Sequence, residues 1–154
     1  MSETLWTLRT IYVTFTPMKT TQHSQFWDDL AEDLKDPEFL RDYVRESVRI
    51  ATIDKLVNEL DQAREAAKLS KAELARAISS QPAVIRRLFS SGNVNPTLGT
   101  LAEVAAALGM RITLEPLTVS EQKNVTKPLL AGRTADPRAL AEHVSKMREL
   151  PKAS

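Results

Sequence analysis

The sequence predicts a mainly α-helical chain with one short strand, and three observations carry that expectation. From Phe26 to Leu108 apolar residues recur at spacings of three and four, the period of a helix with one buried face. Helix-start chemistry precedes these runs at Asp36-Pro37, at Ser70-Lys71-Ala72-Glu73, at Thr97 and, further on, at Asp136-Pro137. In the second half only Met110 to Glu115 switches to a period of two, with Met110, Ile112 and Leu114 alternating against Arg111, Thr113 and Glu115 before Pro116 stops the run.

Taken in order, Leu5 to Thr16 is rich in threonine, aromatic and β-branched residues, and Ile11, Val13 and Phe15 alternate with Tyr12, Thr14 and Thr16. Residues 1–24 are expected to be a flexible leader, with an edge strand or an extension upstream of a start at Met18 as alternatives. Phe26, Leu30 and Leu34 then share one face of a short helix. Asp36 caps and Pro37 opens a helix over residues 37–50 that buries Phe39, Leu40, Tyr43, Val44, Val48 and either Ile50 or Ala51. Thr52 either caps a new helix or lies within a continuous one, because no glycine or proline forces a stop. Residues 25–52 are read as an N-terminal helical arm.

Leu56, Leu60, Ala63 and Ala67 define the next apolar face. Ser70 to Glu73 is a capping box, serine accepting a helix-start N–H while Glu73 reaches back, and Leu74, Ala75 and Ile78 follow. Ser79-Ser80 breaks this helix. Gln81-Pro82-Ala83 starts another whose buried face is Val84 or Ile85 with Leu88, and Gly92-Asn93 ends it. Thr97 caps a helix containing Leu98, Leu101, Val104, Ala105 and Leu108, with Gly109 as its left-handed stop. A lone strand at 110–115 needs a partner, either the leader or the same segment of a second subunit. Residues 53–116 are therefore read as one unit with its following strand, and 117–154 as a linker, loop-like to Thr134, followed by an amphipathic helix carrying Ala139, Leu140, Val144 and Met147.

Composition excludes several functions. The 154 residues contain no cysteine, so disulfides, thiolate metal sites and a cysteine nucleophile are ruled out, and two isolated histidines, His23 and His143, do not make a zinc site. No metal and no cofactor is expected. Asp28, Asp29, Glu32 and Asp33 share a helix face without histidine partners or a phosphate-binding glycine loop, and Ser70, Ser79 and Ser80 occupy caps and turns, so no catalytic residue is assigned. No apolar run approaches the length of a membrane span, and a cytoplasmic protein is the expectation. The net charge of +1 hides segregation: residues 20–67 carry twelve acids against six bases, a net of −6, while residues 68–113 carry six bases against two acids, a net of +4.

Two short helices joined by a tight turn, covered by longer ones, form helix-turn-helix geometry. Arg86 and Arg87 lie between buried Ile85 and Leu88, so at least one must project outward, where it can bind guanine edges or grip phosphate; an ordinary solvated basic pair is the plain alternative. Lys68 and Arg76 are further candidates for phosphate contact.

The segments LSKAELARAISSQPAVIRRLFSSG and NPTLGTLAEVAAALG resemble the lambda-repressor-like, Cro-type (XRE) helix-turn-helix family over roughly residues 56–109. Ser79 stands where that family usually has glycine, Ser80 where it usually has a small apolar residue, and Phe89 where it often has glutamate. The resemblance implies that Gln81, Pro82, Ala83, Arg86 and Arg87 face DNA on the recognition helix. It further implies that Ser70 and Lys71 meet phosphate, and that Asn95 and Thr97 lie near the DNA backbone, a turn-capping role being the alternative for the last two.

More broadly, DPEFLRDYVRES before this unit and ALGMRITLEPL after it resemble a HigA-type antitoxin of a toxin-antitoxin module. That implies a homodimer that represses its own operon through operator DNA and neutralises a small basic RelE/HigB-like messenger RNA interferase. A plain helix-turn-helix repressor without a toxin is the alternative. The acidic block fits a basic protein partner, through the arm or the tail helix, or it merely solubilises its helices.

Overall fold

The computed structural model describes residues 24–90 and 94–149, so the expectations for the leader and for Gly92-Asn93 lie outside the described residues. Helical residues 24–33 (α1) lead through a turn to Asp36, whose carboxylate accepts the Phe39 N–H at 2.8 Å and starts α2, Pro37–Ala66. Pro37 occupies the first helical position, where its missing N–H costs no hydrogen bond. Helix α2 runs for 30 residues, about 45 Å, straight through Thr52.

Both halves of α2 bury a stripe, but against different neighbours. Its first half packs Leu40 and Val44 with Leu34, Val125, Leu140, Ala141 and Val144, whereas Leu60 near its end joins Leu74, Ala75, Ile85, Leu88, Leu101, Val104 and Ala105. Two cores are thus strung on one helix, and a break at Thr52 would uncouple them.

The second core is built by α3, Lys71–Ala77, α4, Pro82–Ser90, and α5, Leu98–Ala107. Ser70 Oγ accepts the Glu73 N–H at 3.1 Å while the Ser70 N–H donates to Glu73 Oε2 at 2.8 Å, completing the expected capping box. Thr97 caps α5 by accepting the Thr100 N–H at 3.1 Å. Three helices end in the same double-bonded cap. After α2 the Lys68 N–H reaches the Glu65 carbonyl and the Leu69 N–H the Arg64 carbonyl; after α3 Ser79 and Ser80 reach Arg76 and Ala75; after α5 Gly109 and Met110 reach Ala106 and Ala105. This closure requires a left-handed residue, with φ of 56° at Lys68, 53° at Ser79 and 73° at Gly109. Only the last is the residue type that adopts it without steric cost. Ser79→Gly is accordingly expected to raise stability by about 0.5–1 kcal/mol, the relief of a left-handed side chain exceeding the added chain entropy. Thermal denaturation checks it, and an unchanged or lower midpoint would contradict the strained turn.

The tail departs most from expectation. Residues 118–134 are not a loop: Thr118 and Glu121 form a second capping box opening α6, Val119–Glu121, which widens into a π-helical turn, Gln122–Thr126, and continues as α7, Lys127–Ala131. Left-handed Gly132 ends it, and the Arg41 guanidinium seals the end, Nε donating to the Leu129 carbonyl at 3.1 Å and Nη2 to the Leu130 carbonyl at 3.3 Å. The left-handed backbone at Gly132, φ 69°, favours glycine, and a Cβ there would stand 2.9 Å from Arg41 Cζ and push the guanidinium aside. Asp136 then caps α8, Pro137–Arg148, through the Ala139 N–H at 3.0 Å. Helix α8 lays Leu140, Ala141 and Val144 on α2, so the arm and the tail close one core together, and the apolar face of α8 is covered by its own chain.

No strand occurs among the described residues. Met110 to Leu117 runs without regular structure along an open groove of about 630 Å³ beside α2, Ile112 packing against the second core while Leu114 is 99% exposed. The leader, one of the two partners foreseen for the alternation at 110–115, lies outside the described residues. Two expected core aromatics are also outside: Phe26 is 59% exposed and meets the Trp27 edge, and Phe39 is 39% exposed and stacks on Tyr43 with centroids 6.2 Å apart. Both sit at the rim of the first core, where contact with one neighbouring ring leaves much of each side chain open.

Candidate nucleic-acid interface

Helix α4 is set by two anchors, Ile85 at 0% and Leu88 at 4% exposure, while Val84, the other candidate, lies outside. At about 100° per residue, these anchors turn Ala83 and Ser90 to the middle of the opposite face, with Arg86 and Arg87 flanking that line by about 50° on either side. Both arginines therefore project, not one alone. Gln81, Pro82, Ala83, Arg86 and Arg87 are all exposed. Ser90, which sequence reasoning missed, shares their face, and its hydroxyl stands 3.4 Å from Lys71 Nζ. The only signal for it was the seven-residue step from Ala83.

The cations divide into two populations. In the acidic half Lys35, Arg45 and Arg49 each bind a carboxylate three residues earlier. Among the described residues no ion pair involves Lys68, Lys71, Arg76, Arg86 or Arg87. Arg64 is the exception on this side. Its guanidinium binds Asp61 at 2.7 Å and the Leu69 carbonyl at 2.8 Å and lies 5.8 Å from the centre of the Phe89 ring. Phe89 thus has a structural use, fastening the end of α4 beneath a cation tied to α2.

The remaining expected residues surround α4 without one common role. Ser70 and Thr97 spend hydroxyl lone pairs on helix caps; Lys71 is half-buried at the start of α3; Arg76 and Lys68 are exposed near two helix ends; Asn95 is exposed before Pro96. Glu73 is held below the usual carboxylate range, first by the Ser70 backbone N–H and then by its hydroxyl. A depressed carboxylate stabilises the cap above its ordinary pKa and loses that contribution as pH falls through the lowered one.

Residues 60–114, about a third of the chain, match the family model described as Helix-turn-helix. This segment is similar to a helix-turn-helix domain. The match begins at Leu60, the α2 residue buried in the second core, and ends at Leu114, so the matched segment takes its first helix from the shared α2. No curated protein and no solved structure matches the chain. No helix of the described residues is long and apolar enough to cross a membrane.

Proposed function

We propose that the chain is a DNA-binding transcriptional regulator that lays α4 in the major groove of duplex DNA. The observation that carries this reading is the outward face of α4, where two arginines with no ion pair among the described residues flank a small-residue line inside the segment that matches the helix-turn-helix model. Ala83 and Ser90 leave room for close approach, Arg86 and Arg87 present bidentate donors to guanine or phosphate, and Gln81 stands at the helix start. Lys68, Ser70, Lys71, Arg76, Asn95 and Thr97 supply the surrounding backbone contacts, and Pro82 offers apolar contact to a thymine methyl. As a homodimer it would set two copies of α4 into successive major grooves about 34 Å apart.

The finer reading is an antitoxin that represses its own operon and binds a small basic toxin. Its support is the acidic run before the helix-turn-helix core, where residues 20–52 carry eight acids against four bases, together with exposed Phe26 and Phe39 in the same stretch. The plain repressor reading draws on the same stretch, because α8 already covers the apolar face of α2. Footprinting on the DNA upstream of the gene tests the regulator reading, with a protected palindrome as the expected result and uniform weak protection against it. Co-expression with the neighbouring gene product separates the two finer readings: growth rescue and a stable complex support the antitoxin, and neither appearing leaves the plain repressor.

A further inference from the structure

We propose that residues 110–115 form the dimer interface by pairing antiparallel with the same segment of a second copy of this chain. This supplies an interface for the dimer of the proposed function and rests on that reading. Four of the nine exposed large apolar residues among the described residues, Met110, Leu114, Leu117 and Val119, fall within ten positions here. The segment is flanked by structure yet forms none of its own, and among the described residues Arg111 and Glu115 have no ion pair.

The sequence is self-complementary in one register. Placing Thr113 on a two-fold axis sets Arg111 against the partner subunit's Glu115 and Glu115 against the partner subunit's Arg111, while Ile112 faces the partner subunit's Leu114. Two backbone facts agree with that register. The Met110 N–H points into its own chain, bonding the Ala105 carbonyl at 2.8 Å, so in a strand the N–H groups of 111, 113 and 115 turn outward. Pro116, which has no N–H, then falls at a non-hydrogen-bonded position opposite the partner subunit's Met110.

The test is a charge swap on the full chain, read as mass by sedimentation equilibrium without DNA. Wild type is expected at twice 17.2 kDa. Arg111→Glu and Glu115→Arg each place like charges opposite one another at both symmetry-related positions and are expected to weaken dimerisation about tenfold. The double variant Arg111→Glu/Glu115→Arg restores opposite charges and is expected to return to within about threefold of wild type. Circular dichroism checks that each variant remains folded, as these exposed sites allow. A monomeric wild type at about 100 µM, a dimer indifferent to either reversal, or a double variant no tighter than the singles would each overturn the interface. A monomer that still protects the upstream DNA overturns this interface alone, whereas a charge-sensitive dimer that protects nothing supports the interface and removes the regulator reading.

Discussion

Leu140→Ala is expected to lower stability by about 2–5 kcal/mol, the lost transfer energy of a fully buried leucine side chain plus the cavity left where its neighbours relax only in part. Leu140 is 0% exposed and packs with Leu34, Leu40, Val44 and Val125, so its loss loosens α1, α2 and the tail at once. Leu130→Ala, ten residues earlier and exposed in α7, is expected to stay within about 0.5 kcal/mol of wild type. Urea denaturation of the two variants compares them directly. Equal midpoints would mean that the tail contributes nothing to the fold and that its contacts with α2 are incidental.

Arg87→Ala is expected to weaken binding to the preferred upstream sequence by about 5- to 150-fold, corresponding to about 1–3 kcal/mol for one bidentate base contact, and to leave unrelated duplex much less affected. The size of the effect follows from how little the arginine gives up to bind. No carboxylate lies within four residues of Arg86 or Arg87, and neither has an ion pair among the described residues, so engaging DNA breaks no existing bridge. Arg49 by contrast would first have to release Glu46, which it contacts through two nitrogens. Lys71→Ala should behave differently from Arg87→Ala. A lysine on phosphate carries no sequence information, so its removal weakens all duplexes alike and reduces the dependence of log affinity on log salt by about one.

Much of this architecture was legible because helix caps are local chemistry. Asp36, Ser70, Thr97 and Asp136 each bond the N–H three residues ahead, a relation visible in any four consecutive letters. Thr118 and Glu121 obey the same rule and were passed over, since the short helices after them present no sustained apolar stripe; Val125 and Pro128 alone are buried there. What closes the tail was not legible. Arg41 meets the Leu129 and Leu130 carbonyls across 88 and 89 residues, and no local pattern encodes that meeting. The continuity of α2 has the same origin, because the reason for an unbroken helix is a different core at each end. For α4 the sequence left Val84 or Ile85 beside Leu88 and at least one arginine outward; burial of Ile85 fixes the register and turns both arginines out, and Ser90 beside Lys71 depends on how α3 and α4 cross.

The central claim, that α4 reads DNA, is tested most directly by titrating wild type, Arg87→Ala and Lys71→Ala against the upstream duplex and an unrelated duplex at two salt concentrations. Arg87→Ala is expected to erase most of the preference for the upstream duplex, whereas Lys71→Ala keeps the preference and flattens the salt dependence. Unchanged affinity and preference in both variants would contradict the claim and move the nucleic-acid surface away from α4.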